Sequence, residues 1–302
     1  MRTYVHLYFR GEDLPDGPEK FLQVAGIREN EAEIRRFTIL RRANVTVTVD
    51  LPEDDERIPK LLELLKQHGE EPLKGGFDVY TDEELDNARL LALRPVYQCE
   101  VDGGSEFGTT YDLTGTCPSC AAGARQTSAL FLDGAEDELP KLEGHRAAGT
   151  YRDEIFVDDR IAADIENLGA TGLVLHQVYA VMPDTQRQTK LAYKQLSSDR
   201  ILPPMAPPMG LGRGGAAPCN LCTRSSYQMG SCLRIFYRRK DLEGAGDVNL
   251  SWEGLHNGEV NEDPRKCVIP VPVILVTPKV MRVFRAAGIT EFEWVPIRVV
   301  DE

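Results

Sequence analysis

Two stretches decide the fold. Residues Ile155–Val181 read IFVDDRIAADIENLGATGLVLHQVYAV, and residues Ile274–Val300 read ILVTPKVMRVFRAAGITEFEWVPIRVV. They align without a gap, with Ile155/Ile274, Val157/Val276, Gly169/Gly288, Thr171/Thr290 and Val181/Val300 identical and Arg160/Lys279 and Leu173/Phe292 matched in kind. In each, a short apolar strand ends at a residue suited to cap a helix, Asp158 or Thr277. Pro278 falls at the first helical position, where its missing N–H costs nothing. A helix of about three turns follows, with Ile161, Ile165 and Leu168 on one side in the first copy and Val280, Phe284 and Ala287 in the second. Gly169 and Gly288 fall where a helix takes a left-handed residue at its end, and a β-rich strand leaves from there. The spacing between the copies is too long for a solenoid and predicts an internal duplication of a strand–helix–strand unit.

Each copy is preceded by one CxxC, Cys117/Cys120 and Cys219/Cys222. One such turn supplies two thiolates, and two turns at equivalent places supply four, the donor set of a closed tetrahedral zinc site. A site with no open position folds protein and does not catalyse. The expectation is therefore one structural Zn2+ held by Cys117, Cys120, Cys219 and Cys222. The other accounts are a redox CxxC, separate metal sites in which Cys99 joins the first pair and Cys232 and Cys267 the second, or buried free thiols. For Cys99, Cys232 and Cys267 individually, burial as small apolar residues is the expectation.

Between the copies runs ILPPMAPPMGLGRGGAAP, residues 201–218, whose Pro and Gly content excludes helix and central strand. It delivers the second knuckle. Upstream, residues 1–96 read as a separate α+β unit. Tyr4–Phe9 alternates like a strand, and Phe37–Val49 forms a strand or hairpin. Ile58–Gln67 forms a helix presenting Leu61, Leu62, Leu64 and Leu65, and Phe77–Tyr80 a short strand. Thr81 caps a second helix over DEELDNARLLAL. The fold class expected is α+β: an N-terminal unit over 1–96, a first CxxC-containing repeat over 97–200 and a second over 201–302, the body resembling paired zinc ribbons.

The chain has 302 residues, is 42% hydrophobic and 27% charged, and carries a formal net charge of −13. That sign disfavours nucleic acid, whose phosphates select basic faces; its plain reading is solubility, and its sharper one an acidic face that docks a basic protein. Seven cysteines, four of them in CxxC pairs, point to metal binding in a reducing compartment, so a cytoplasmic location is expected. Neither a secretory leader nor a membrane span is expected. The five histidines show no tight ligand spacing, and His176 reads as structural. No P-loop, GxSxG elbow or dinucleotide fingerprint is present. The cluster Arg234, Arg238, Arg239 and Lys240, with Phe236 and Tyr237, leaves a nucleic-acid-binding zinc ribbon as one alternative function, and the CxxC pairs leave a redox protein as another.

At its knuckles, CPSCAAG at Cys117–Gly123 and PCNLC at Pro218–Cys222, with ILPPM at Ile201–Met205 and VDDRIAADIENLGATGLVL between, the chain resembles a bacterial family named for its double-CXXCG motif, whose members are immunity proteins. The similarity spans residues 95 to 300, and the family's glycine after each second cysteine is Ala121 and Thr223 here. The resemblance implies a non-enzymatic partner protein that neutralises a toxin.

Overall fold

The computed structural model describes the chain except residues 13, 15, 40, 41, 97, 98, 100, 135–141, 183, 209, 210, 214–218, 230–232 and 302. The fold is mixed α+β. Among the described residues, Met1–Thr81 with Leu233 form one compact unit, and those from Asp82 onward, Leu233 apart, form the other.

The first unit runs β1 (Arg2–Arg10), α1 (Pro18–Ala25), β2 (Ala32–Ile39), β3 (Arg42–Pro52), α2 (Arg57–Gln67) and β4 (Leu73–Val79). Its sheet has the order β2-β3-β1-β4 with every neighbour antiparallel, a split β-α-β arrangement occurring twice. Alternation along β1 sends Val5, Leu7 and Phe9 into a core shared with Phe21 and Leu22 of α1 and Leu61 and Leu65 of α2. Leu62 and Leu64 pack at its margin. The described residues of the Phe37–Val49 stretch lie in the antiparallel pair β2 and β3, with Ile39 opposite Arg42; residues 40 and 41 lie outside the described residues. Helix α1, not foreseen from the sequence, starts on Pro18 and stops at Gly26, whose φ of 80° lets it close the helix.

The second unit begins earlier than expected. The helix expected after Thr81 is only α3 (Asp82–Asp86), and the apolar run after it is β5 (Leu91–Pro95), a strand lying between two others of the second unit. The boundary therefore falls after Thr81 and not at residue 96. The physical reason is that Leu90–Leu93 are almost fully buried, as the both-faces burial of an inner strand demands.

From there the chain makes β6 (Tyr111–Asp112) and β7 (Arg125–Gln126), then β8 (Leu130–Asp133), β9 (Ala147–Gly149), β10 (Ile155–Asp158), α4 (Asp159–Asn167), β11 (Leu173–Val181) and β12 (Gln188–Ser198). It continues with β13 (Gly212–Arg213), β14 (Tyr227–Gln228), β15 (Phe236–Arg238), β16 (Val248–Leu255), β17 (Val271–Val276), α5 (Pro278–Ala286), β18 (Phe292–Pro296) and β19 (Arg298–Val300). One sheet has the order β8-β11-β12-β10-β9, a second β13-β14-β16-β17-β5-β18, and β15 pairs with β19. Both predicted strand–helix–strand segments are present, as β10-α4-β11 and β17-α5-β18. In each, the two strands are not neighbours: an antiparallel strand, β12 or β5, lies between them.

The caps differ between the two segments. Asp158 accepts from the Ile161 N–H at 2.7 Å, as an N-cap should. Thr277 instead turns its hydroxyl to Asp247 Oδ1 at 2.9 Å, and the same aspartate accepts from the Thr171 N–H and hydroxyl at 3.1 Å each. Gly169 and Gly288 take the expected left-handed conformation, with φ of 65° and 72°. Among the described residues no helix is long and apolar enough to cross a membrane.

Candidate metal centre

Each CxxC sits in a loop closed by a short antiparallel pair, β6 with β7 for the first and β13 with β14 for the second. The two turns share one backbone pattern. The Ala121 N–H donates to the Cys117 carbonyl at 2.9 Å, and the Thr223 N–H donates to the Cys219 carbonyl at 3.0 Å. Closing those turns puts Ala121 and Thr223 in the left-handed region, at φ 54° and 57°. They are the positions where the resembling family carries glycine, the residue that adopts this conformation without steric cost.

The turns bring all four sulfurs within 4.8 Å of one another. Cys117 Sγ lies 3.6 Å from Cys219 Sγ, and Cys120 Sγ lies 3.5 Å from Cys222 Sγ. A disulfide needs about 2.05 Å, so these are free thiols. A tetrahedron of thiolates about 2.3 Å from a central ion has edges of about 3.8 Å. The donor set and its spacing could thus hold a metal ion, and the four cysteines predicted from sequence are the ones that meet.

Electrostatics within the cluster are uneven. Burial opposes ionisation of Cys219, but the Leu221 and Cys222 N–H groups and the neighbouring thiols outweigh it and bring the group to about 6. Burial raises Cys120, against a hydrogen bond from the Ser225 hydroxyl, and pushes Cys222 up to about 12. A cation would supply to all four sulfurs the stabilisation that N–H groups and thiols supply to Cys219.

The surroundings hold the second knuckle in place. The Arg224 N–H points to Cys222 Sγ at 3.4 Å, its Nε donates to the Trp252 carbonyl at 3.1 Å, and its guanidinium lies 4.5 Å from the Trp252 ring centroid. In the Arg125-Gln126-Thr127 stretch after the first knuckle, Gln126 Nε2 donates to Gln195 Oε1 at 2.7 Å. The first knuckle is covered by the segment after β16. The Val260 N–H donates to the Ser119 carbonyl at 3.3 Å, and a Cβ on Gly258 would lie 1.9 Å from the Cys120 carbonyl oxygen. Cys117 and Cys120 are accordingly buried, and Cys219 and Cys222 only half-buried.

Of the other cysteines, Cys99 is buried, with its thiol directed at the Gly149 carbonyl at 3.1 Å. Cys267 is buried among Asn261 and Asp263 backbone groups. Neither belongs to the four-sulfur cluster, and Cys232 lies outside the described residues. A cavity of about 260 Å³ lies beside the knuckles, lined among others by His176, Gln195, Arg224 and Trp252. Burial lowers the His176 pKa and so favours the neutral ring, which has no hydrogen-bond partner among the described residues. Trp294 belongs to the buried core.

Neither CxxC opens a helix, the setting that activates a redox thiol. In the basic cluster, Tyr237 is fully buried, Arg238 faces Asp241 at 3.8 Å and Arg239 faces Asp301 at 3.4 Å. No protein-family model matches the chain, and no curated protein is similar to it in sequence.

Proposed function

We propose that this protein is a non-enzymatic binding factor whose second unit is held together by one structural zinc ion, and that it neutralises a basic protein toxin by docking it. The observation that carries the first part is the closed set of four sulfurs from Cys117, Cys120, Cys219 and Cys222. Four thiolates satisfy a tetrahedral zinc ion completely, so no position is left for a substrate or an activated water. The second part is supported by the net charge of −13, which steers and retains a cationic partner, and by the likeness to immunity proteins at the knuckles. A cytoplasmic location follows from thiols that must stay reduced to bind the ion.

Elemental analysis of the purified chain is expected to give one zinc per molecule. Affinity capture from the native cell is expected to recover a stoichiometric basic protein encoded beside this one. A metal-free folded chain sinks the first part, and capture that recovers no such partner sinks the second.

A further inference from the structure

The strand registers of the second unit match in its two halves. Phe156 of β10 faces Gln195 of β12 and Ala148 of β9, while the aligned Leu275 of β17 faces Ala92 of β5 and Asn249 of β16. His176 of β11 faces Gln195, and its counterpart Val295 of β18 faces Ala92. Leu175 and Leu196 pair as Trp294 and Leu93 do. The outer strands agree as well: Tyr179 lies beside Phe131 in a parallel pair, and Arg298 lies beside Phe236 in another. Even the irregularity agrees, since the β11 register shifts between Gln177 and Tyr179 where the second half breaks into β18 and β19.

By these registers β5 is the equivalent of β12. In chain order each copy then runs inner strand, knuckle, outer strands, strand–helix–strand: β5 to β11 in the first, β12 to β19 in the second. Yet β5 lies in the sheet of the second copy, between β17 and β18, and β12 lies in the sheet of the first, between β10 and β11. We infer that the second unit is a strand-exchanged dimer written into one chain, in which each copy is completed only by the inner strand of the other. The surface each copy offers is a gap between two parallel-running strands, and the partner it fits is another copy of the same unit.

The gap is a strong site. Leu91, Ala92 and Leu93 are buried to 1% exposure or less, β5 pairs on both edges, and Arg94 forms an ion pair with Glu293 of β18. An empty place there exposes two strand edges and an apolar slot, which a stable monomer does not tolerate. The inference stands on registers alone and is independent of what the sulfurs hold.

The test cuts between the copies. A protease recognition sequence inserted between Thr185 and Gln186, in the exposed turn joining β11 to β12, is cleaved in the purified full chain with its metal content left unchanged, so that loss of an ion does not itself unfold the unit. The expected result is a single species of uncut size by native mass spectrometry, with a denaturation midpoint that falls on tenfold dilution of the cut chain but not of the uncut chain. Separation of the fragments without denaturant overturns the inference, as does native amide protection in either fragment alone. Should the insertion itself impair folding, native-state amide exchange of the unmodified chain replaces it. Ala92 and Leu93 are expected to open in the same cooperative event as Val276 and Trp294; earlier, independent exchange of β5 overturns the inference.

Discussion

Replacing Thr223 by glycine should stabilise the metal-bearing unit, while the same change at Ala121 should not. Both residues hold a left-handed backbone, at φ 57° and 54°. For a residue with a Cβ this costs about 1–2 kcal/mol, with β-branched threonine at the upper end. Glycine removes that strain but adds about 0.5–1 kcal/mol of chain entropy to lose on folding. At Thr223 the side chain is exposed, and its local hydrogen bond to the Cys222 carbonyl, at 2.7 Å, is replaceable by water. The balance is a gain of about 0.5–1 kcal/mol, or about 1–4 °C in melting temperature for a unit of this size. At Ala121 the methyl group is fully buried, and deleting it forfeits about 0.8 kcal/mol more. That change comes out neutral to slightly destabilising. Thermal unfolding of zinc-loaded Thr223→Gly, Ala121→Gly and the parent chain measures the difference. A lower melting temperature for Thr223→Gly, or equal shifts for both, refutes the account of strained knuckles.

Cys219→Ser should abolish stoichiometric zinc binding and lower stability by several kcal/mol, whereas Cys267→Ala should leave the metal content by elemental analysis unchanged. Gly258→Ala should loosen the cover on Cys120 and accelerate zinc loss to a chelator, read with a chromogenic zinc indicator, because its methyl meets a backbone carbonyl that cannot swing aside. In the first unit, hydrogen bonds from the Arg57 guanidinium hold Glu31 and Asp55 down to about 2. Both carboxyls gain affinity for protons on unfolding, so their contribution is present above the ordinary range near pH ~4 and is lost as pH falls toward about 2. Arg57→Met should flatten that acid limb in a pH series of chemical denaturation.

Much of the site was legible in the sequence because its information is local. A CxxC turn declares two ligands by itself, and equivalent placement before two similar segments declares that they belong together. Helices α4 and α5 were legible for the same reason, since cap, apolar stripe and terminal glycine all lie within one short window. Strand β5 was not. Its run Leu90–Leu93 is apolar at every position, and such a run reads equally as helix when an acidic capping segment precedes it. Only the partners on either side, Leu275 and Val295 facing Ala92, make it an inner strand. The equivalence of β5 and β12 was illegible too, because Leu91-Ala92-Leu93-Arg94-Pro95 and Lys194-Gln195-Leu196-Ser197-Ser198 share a single leucine. Exposure separates one of these pairs, since Leu91 is fully buried whereas Lys194 is partly open to solvent; Ala92 and Gln195 are both buried and differ in what they touch, Gln195 accepting a hydrogen bond from Gln126.

The place of β5 bears on how the molecule is made. Ala92 leaves the ribosome well before Leu275, by roughly 10–40 s at about 5–20 residues per second. Throughout that interval a sticky, water-averse ribbon has emerged without the groove that will receive it. Vectorial synthesis therefore cannot finish this unit from front to back. The nascent chain must shelter Leu90–Leu93 until β17 and β18 have emerged, and their sheet closes only when the early strand finds the late ones.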